Sequence, residues 1–159
     1  MPKPLLFDLA QIDLCAEPVF TRGDIEVHNP QRHEMQHLDG VLWYDKDKFL
    51  VLGYKDVTDG EFWVRGHIPE RPIMPGVIMV ESAAQLLSFF VKQVYEERGF
   101  IGFASIESAK FRSTVIPGQR LYLLGHITKF RRGRKYSSYI QGVVEDKMVF
   151  ETEISGMSV

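Results

Sequence analysis

The sequence lacks the features that mark several large classes of protein. It contains a single cysteine, Cys15, so an internal disulfide cannot form and a reducing cytoplasm suits the chain. No apolar run reaches the roughly 18 residues that a membrane-spanning helix needs. Charged residues break the apolar positions near the N-terminus, which is not the pattern of a signal peptide. We therefore expect a cytoplasmic protein that does not insert into a membrane.

The sequence also lacks an excess of either charge. Its formal net charge is −2 and its pI is about 6.2, so there is no electrostatic basis for nucleic acid binding. One local basic run, residues 131–135, is expected to be the solvated tip of a hairpin. At 159 residues the chain is long enough for one domain with a sizeable core.

Proline and glycine are absent from residues 77–98, directly after a stretch that is rich in both. Pro72 and Pro75 each disfavour a helical residue before them, so a helix can begin only at Gly76. The composition predicts a helix over residues 76–98, about six turns long, with Gly99 as its stop. Because this helix is apolar on nearly every side, we expect one sheet to cover part of it and a second subunit to cover the rest.

Five polar side chains form one stripe on the predicted helix, at steps of 4, 3, 4 and 4 residues: Glu81, Gln85, Ser88, Lys92 and Glu96. Glu81 differs from the other four because it lies near the helix start among apolar neighbours. A carboxylate in such a position is costly to desolvate unless it has a partner or a function. The pattern therefore marks Glu81 as a candidate site residue.

Most apolar segments outside the helix have the length and the residue types of β-strands. A hairpin is predicted over residues 41–54, and further strands over 101–112, 121–130, 136–145 and 148–154. One helix with five or six antiparallel strands predicts an α+β domain. We expect residues 1–28 to form a loosely attached lead-in, with a short helix over 5–14, and residues 29–159 to form the folded domain.

The segment from Asn29 to Gly40 contains a match to a zinc-binding motif. His33-Glu34-Met35-Gln36-His37 has the H-E-x-x-H spacing that places two histidines on one helix face, and Gly40 extends the match. Asn29 as cap and Pro30 in the first turn would make this segment a short helix. However, Trp43 occupies the position of the third histidine ligand and cannot bind zinc, so a polar loop or short helix without metal is the alternative.

The residues between Val57 and Gln85 resemble the central motif of a known enzyme family. The matching residues are Val57, Thr58, Glu61, Gly66, His67, Pro69, Arg71-Pro72-Ile73-Met74-Pro75-Gly76-Val77, Glu81 and Gln85. This pattern is similar to that of the hot-dog-fold (3R)-hydroxyacyl-acyl-carrier-protein dehydratases of type II fatty acid synthesis. A second family motif is matched by Lys110-Phe111-Arg112, Val115 and Pro117-Gly118, and Pro30, Arg32, Asp39 and Val41 match upstream. The resemblance covers roughly residues 29–156.

The resemblance implies a hot-dog fold, in which a curved antiparallel sheet wraps one long helix, and a hydro-lyase activity. Dehydration needs a base for the α-proton and an acid for the departing hydroxyl, which the resemblance assigns to His67 and Glu81. It also needs stabilisation of enolate charge, for which the N–H of Gly76 at the helix start is suited. Gln85 is a candidate to orient Glu81. Candidates for the substrate tunnel are Phe62, Trp63, Met79 and Phe111, for each of which ordinary core is the alternative.

The resemblance further implies an acyl carrier protein as partner, a homodimer or a trimer of dimers, and no metal or other cofactor. In the family, each site combines the histidine of one subunit with the acid of its neighbour. The chain departs from the family at His33-Glu34-Met35, where a Tyr-Pro-Phe-like loop is usual, which indicates that the zinc-motif spelling is accidental. Ile68, Glu70 and Gln119 also depart, and none of these changes removes a reacting group.

Two other functions remain open from the sequence. A hot-dog acyl thioesterase would hydrolyse the thioester on the same scaffold, using an acid near a similar helix. A non-catalytic acyl-binding subunit would keep the fold without the chemistry. The presence of both His67 and Glu81 favours the dehydratase over either alternative.

Overall fold

The computed structural model describes residues 3–159; Met1 and Pro2, the first residues of the predicted lead-in, lie outside the described residues. Short 3₁₀ turns form at Leu9–Gln11 and His33–Met35. The helices and strands are α1 (Arg22–His28), β1 (Gly40–Asp45), β2 (Leu50–Asp56), α2 (Gly76–Gln93), β3 (Ile101–Phe111), β4 (Arg120–Arg131), β5 (Lys135–Val144) and β6 (Lys147–Ser158). No helix within residues 3–159 is both long and apolar enough to span a membrane.

The six strands form one antiparallel sheet in the order β1-β2-β4-β5-β6-β3. Helix α2 packs against five of these strands, from β2 to β6. The predicted α+β architecture is therefore confirmed. The strand order leaves β3 at one edge of the sheet, although it directly follows the central helix in the chain.

Helix α2 begins at Gly76 as predicted but ends at Gln93, five residues before the predicted end. Glu96 adopts a positive φ of 60°, which breaks the helix, and the N–H of Glu97 bonds back to the carbonyl of Val91. The Glu97 carboxylate accepts hydrogen bonds from the Tyr136 hydroxyl and from the N–H of Gly133. The helix ends before Glu97 because this side chain makes its hydrogen bonds with the β4–β5 hairpin.

Within a single chain, more of the α2 surface is buried than we expected from a helix that is apolar on nearly every side. Leu86, Phe89 and Phe90 are almost completely buried within the chain, and Val77 is the large apolar residue of the helix that stays exposed. The polar stripe is also not a solvated face. Gln85 is buried, and the buried Lys92 donates from Nζ to the carbonyl of His28 at 2.9 Å. The need for a second subunit therefore does not arise from most of the helix surface.

The largest exposed apolar surface lies instead along the edge strand β3 and the residues around it. Phe103, Ile106 and Phe111 are each about half exposed, and Phe100 directly before the strand is 55% exposed. An unpaired edge strand with apolar side chains is a template for pairing with another chain. Within the described part of the chain, the apolar side chains along this edge are therefore not covered by other residues.

The opposite face of the sheet carries a second apolar cluster that residues 3–14 cover. The cluster contains Leu42, Leu52, Tyr54, Leu124 and Val143, and the residues packed on it include Leu6, Phe7, Leu9, Ile12 and Leu14. Gln141 fixes this segment by accepting from the Leu6 N–H at 2.8 Å and donating to the Pro4 carbonyl at 2.9 Å. The lead-in is thus more firmly packed than expected, and the predicted helix over 5–14 is wrong, because only the 3₁₀ turn forms.

The predicted helix over the H-E-x-x-H segment does not form either. Only His33–Met35 makes a 3₁₀ turn, and His33 has a positive φ of 56°. His33 is exposed, whereas His37 is completely buried. The two histidines therefore do not share the helix face that the zinc motif requires.

Candidate active site

His67 lies in an exposed turn between the buried Trp63 and the start of α2. Its N–H donates to the Trp63 carbonyl at 2.7 Å, and its carbonyl accepts from the N–H of Ile73 at 2.9 Å. Its side-chain Nδ1 lies 2.8 Å from the Ile73 carbonyl oxygen. Because a carbonyl oxygen can only accept, Nδ1 carries the proton, and the lone pair of the neutral ring is on Nε2.

The His67 turn is attached to the far end of β3. The N–H of Met74 donates to the carbonyl of Val115 at 2.7 Å. Residues 115–118 follow β3 and contain the proline-glycine breaker predicted from the sequence, where Gly118 adopts a φ of 94°. The turn that carries His67 therefore lies beside the C-terminal end of β3.

Glu81 occupies the second turn of α2 and is half-buried. Its Oε1 accepts a hydrogen bond from Gln85 Nε2 at 2.9 Å. The residues are four apart, so they face each other on the helix surface. Of the two carboxylate oxygens, Oε1 is therefore held by this amide.

Gln85 is itself completely fixed by the segment that precedes β1. Its Nε2 also donates to the carbonyl of Met35 at 2.8 Å, and its Oε1 accepts from the N–H of His37 at 2.8 Å. Both amide hydrogens and the amide oxygen therefore have partners, which determines the orientation of the amide. The loop that departs from the family pattern thus fixes Gln85, and Gln85 in turn bonds to Glu81.

A buried charged cluster, which the sequence did not reveal, lies next to this loop. Lys55 Nζ and Glu61 Oε1 form an ion pair at 3.0 Å, and both side chains are largely buried. The ring of His37 is buried nearby, and neither ring nitrogen has a hydrogen-bond partner within residues 3–159. Burial and, to a smaller extent, the charge of Lys55 lower the pKa of His37 to about 4, so this ring is neutral at pH 7.

Gly76 opens α2 and lies beneath the ring of Phe111 at the end of β3. A Cβ placed on Gly76 would lie 2.7 Å from Phe111 Cε1, which is closer than atoms can approach. Its backbone N–H has no backbone acceptor in the described part of the chain. The first N–H groups of a helix carry partial positive charge, so this position can accept a developing negative charge.

A cavity of about 210 Å³ opens beside Glu81 and follows α2 as far as Ser88. Its opposite wall is formed by the N-terminal half of β3, including Phe103, and by Ile154 of β6. Gln31 also lines it and was not anticipated, because nothing in the sequence around Gln31 distinguishes it from an ordinary loop residue. His67 is not among the described residues that line this cavity.

The four predicted tunnel residues lie elsewhere. Trp63 and Met79 are buried in the core, whereas Phe62 and Phe111 are half exposed. None of the four lines the cavity beside Glu81. Phe111 contacts the start of α2, so it lies on the His67 side of β3 rather than on the Glu81 side.

The structure thus brings Glu81 and Gln85 together and leaves His67 outside the Glu81 cavity. The cavity is lined by residues 100–103 at the start of β3, whereas Gly76 contacts Phe111 at the end of the strand and the His67 turn bonds to Val115 in the segment that follows it. Within residues 3–159 there is no group of three or more His, Cys, Asp or Glu side chains placed to hold a metal ion.

The family model and the curated relatives agree on one family. A family model described as a FabA-like domain matches residues 29–153. A 3-hydroxyacyl-[acyl-carrier-protein] dehydratase FabZ from Agrobacterium fabrum is 35% identical over 132 residues, which cover 82% of this chain and 84% of the relative. An enzyme of the same name from Clostridium tetani is 40% identical over 129 residues, covering 80% of this chain and 89% of the relative.

A solved structure supports the same fold at low sequence identity. A chain of the dehydratase heterocomplex ApeI:P from Xenorhabdus doucetiae matches with a TM-score of 0.53 and 18% identity, covering 69% of this chain and 88% of that one. At this identity the likeness concerns the fold alone. The hot-dog fold that the resemblance implied is confirmed.

Proposed function

The chain belongs to the FabA-like family, and from this membership and the geometry around His67 and Glu81 we propose that it dehydrates (3R)-hydroxyacyl thioesters of acyl carrier protein to trans-2-enoyl thioesters in fatty acid biosynthesis. It is a hydro-lyase, as its curated relatives are named. The observation that carries the proposal is an exposed histidine whose Nδ1 is bonded to a carbonyl, combined with a carboxylate that is held by Gln85 and lines a cavity beside α2.

His67 is the base. Its Nδ1–H is occupied by the Ile73 carbonyl, so the lone pair on Nε2 is available to remove the α-proton of the substrate. The two backbone bonds that join His67 to Trp63 and Ile73 fix its main chain, and the bond from Nδ1 to the Ile73 carbonyl orients the ring. A base held in this way loses little entropy when it reaches the transition state.

Glu81 is the acid. The amide of Gln85 holds Oε1, and the proton on Oε2 passes to the 3-hydroxyl, which leaves as water. When the bond from C2 to its hydrogen breaks, that electron pair is delocalised onto the thioester oxygen as an enolate. The enolate then collapses, the pair forms the C2–C3 double bond, and the C3–O bond breaks. One proton reaches His67 and one leaves Glu81, and transfer to solvent and back resets both groups.

Gly76 stabilises the charge that forms between these two events. Negative charge develops on the thioester oxygen when the α-proton leaves, and the N–H at the first residue of α2 is directed toward such a charge. Glycine at this position lets the Phe111 ring pack directly against the first residue of α2. Phe62 and Phe111, both half exposed, are proposed to line the approach to the site, whereas Trp63 and Met79 support it from the core.

Each site is proposed to combine His67 of one subunit with Glu81 of the other. The exposed β3 edge supports this, because two antiparallel strands related by a two-fold axis place the start of one beside the end of the other. Phe103 near Glu81 would then lie beside Phe111 of the partner subunit, which covers the partner's Gly76. The separation of His67 from the Glu81 cavity within one chain is thereby explained.

The acyl chain of the substrate is proposed to extend from the reacting carbons into the cavity along α2. The assembly is proposed to be a homodimer and, by family resemblance, a trimer of dimers in the cytoplasm, with acyl carrier protein as the delivering partner. The residues assigned here carry out the reaction by proton transfer and need no metal, nucleotide or redox group for it.

An assay of the pure protein with 3-hydroxybutyryl and crotonyl thioesters tests the reaction. Enoyl absorbance and free thiol are followed together. The proposal predicts interconversion of the two thioesters without thiol release. Thiol release with no enoyl product would instead identify a thioesterase, and neither signal from a protein that binds acyl thioesters would identify an acyl-binding subunit; either result would refute the proposal.

A further inference from the structure

The loop over residues 58–73 carries the proposed base and is held at both ends by the segment that follows β3. At its start, the Val57 carbonyl accepts from the N–H of Gly118 at 2.8 Å. At its end, the N–H of Met74 donates to the Val115 carbonyl at 2.7 Å. No helix or strand forms within residues 58–73, all of which the structure describes. The position of the proposed base therefore depends on the contacts that this loop makes along its length.

A buried ion pair attaches the first part of the loop to the sheet. Lys55 Nζ lies 3.0 Å from Glu61 Oε1, and the two side chains are only 3% and 11% exposed. Lys55 belongs to β2, which lies between β1 and β4 in the sheet, so its main chain is part of a rigid element. A lysine is rarely buried unless it is paired, and a buried ammonium group keeps its partner carboxylate close.

Glu61 is also bonded to the loop itself. Its Oε1 accepts from the N–H of Thr58 at 3.3 Å, and its own N–H donates to the Thr58 carbonyl at 3.4 Å. Its carbonyl accepts from the N–H of Val64 at 3.2 Å. The side chain and the main chain of one residue thus close two successive turns, and the ion pair with Lys55 fixes both turns relative to β2.

The next turn along the chain carries His67. The carbonyl of the buried Trp63 accepts from the N–H groups of Gly66 and His67, at 3.2 Å and 2.7 Å. A displacement of the turns closed by Glu61 would therefore move this carbonyl, and the main chain of His67 with it. Because His67 Nδ1 bonds to the carbonyl of Ile73 at the far end of the loop, the same displacement would weaken that bond.

We propose that Lys55 and Glu61 are positioning residues for the proposed base, and that their ion pair holds His67 where Nε2 can remove the α-proton. Both residues act through His67 rather than on the substrate. A misplacement of about 1 Å at a reacting group can slow a reaction by about a hundredfold, so a pair remote from the substrate can control the rate. The inference rests on the proposed dehydration and identifies residues that set the geometry of its first step.

Glu61→Gln and Lys55→Met test the inference, because each removes one charge with little change in side-chain volume. Each should lower kcat by about tenfold to a hundredfold with a much smaller change in KM, since the base is displaced and the binding groups are not. With a substrate deuterated at C2, the isotope effect on kcat should exceed the wild-type value, because removal of the α-proton becomes slower than the other steps.

The double variant with both substitutions leaves no unpaired buried charge, so it should fold even if the single variants do not. Because both residues act through one pair, its kcat should fall no further than that of either folded single variant. A double variant that folds with the wild-type kcat would refute the positioning role.

The tautomer of His67 gives a reading that needs no turnover. ¹⁵N NMR of the histidine-labelled protein is recorded at about pH 8.5, where an imidazole of ordinary pKa is neutral. The His67 signals are those that His67→Ala removes. The wild-type protein should carry the ring proton on Nδ1, whereas Glu61→Gln and the double variant should show a mixture of both tautomers, because the bond to Ile73 is weakened.

Asp56→Asn is the matched control. Asp56 follows Lys55 in β2 and pairs with Arg120 of β4 at 2.7 Å, so its loss breaks an ion pair that does not involve the loop. It should keep the wild-type kcat, isotope effect and tautomer. A lowered kcat in the Lys55 and Glu61 variants with an unchanged isotope effect and tautomer would overturn the inference. A changed tautomer in a protein that dehydrates no thioester would support the inference and count against the proposed reaction alone.

Discussion

Gln85 donates to Glu81 at 2.9 Å with the same amide nitrogen that donates to the Met35 carbonyl, while its oxygen accepts from the N–H of His37. The proposed acid is therefore bonded to a side chain that two further partners, Met35 and His37, hold in place. We propose on this ground that Gln85 is a positioning residue.

Gln85→Leu should lower kcat by about tenfold to a hundredfold with a smaller change in KM, because Glu81 would no longer be held for proton transfer. It should also lower the free energy of unfolding by about 1–3 kcal/mol, since the buried N–H of His37 loses its acceptor. Kinetics and urea unfolding measure the two effects. Gln93→Leu, on the same helix but bonded to His28, is the control and should not change kcat. An unaltered kcat in Gln85→Leu would refute the positioning role.

Gly76→Ala should lower kcat/KM by at least about tenfold, because the new methyl group must displace the Phe111 ring from the start of α2, where the thioester oxygen is proposed to bind. The matched change Gly60→Ala lies in an exposed turn, where a Cβ meets only Thr58 Oγ1 at 3.6 Å. Steady-state kinetics of both variants give the comparison. Full activity in Gly76→Ala would contradict the proposal that the thioester approaches the first residue of α2 closely.

The pKa of His37 predicts part of the acid sensitivity of the fold. Burial lowers this pKa to about 4 from an ordinary value of 6.5, so between these values the unfolded chain binds a proton that the folded chain does not. Stability is therefore constant for this group above about pH 6.5 and falls as the pH decreases toward 4. Lowering the pH from about 7.5 to about 5 should cost the wild-type protein roughly 2 kcal/mol more than it costs His37→Leu.

Urea unfolding at the two pH values measures this difference. The comparison with His37→Leu cancels the contributions of other groups, including Asp39, whose pKa burial raises and which therefore acts in the opposite direction. An identical loss of stability in both proteins would show that the His37 ring does not titrate as its burial requires.

The start of the central helix and all six strands follow from local patterns that the sequence displays. Pro75 fixes where α2 can begin, and β-branched and aromatic runs mark the strands. The end of α2 did not follow, because Glu97 leaves the helix for partners on the β4–β5 hairpin, and Tyr136 is 39 positions away. Local patterns contain no information about contacts over such separations.

The candidate site shows the same limit. His67 and Glu81 were identified because their motif is continuous in the chain, and the roles assigned to them stay predictions. The partners of Gln85 were not identified from the sequence, because Met35 and His37 belong to a loop that is 50 and 48 positions away. The outward-facing cluster that holds residues 3–14 was missed for a different reason: Leu42, Leu52 and Leu124 are apolar on a sheet face that usually contacts water.

The protein should elute as a dimer or as a multiple of one, because β3 exposes an unpaired edge with apolar side chains. Ile106 lies at the middle of that strand and is 53% exposed. Ile106→Asp should shift the protein to a smaller species and abolish activity, whereas Val27→Asp, a matched change on the exposed face of α1, should do neither. Light scattering coupled to gel filtration gives the mass. A wild-type protein that is a stable monomer at micromolar concentration would contradict the proposed assembly.

Each active site is proposed to take His67 from one subunit and Glu81 from the other. His67→Ala and Glu81→Gln should each reduce the dehydration rate by at least about a hundredfold without unfolding the protein. The direct measurement co-expresses the two variants with different tags and assays the purified mixed dimers. If the site is shared, one site of each mixed dimer carries both lesions and the other carries none, so about half of the wild-type activity per dimer should return. If each site is built within one chain, every site carries a lesion, and mixed dimers that stay as inactive as the two parents would contradict the shared site.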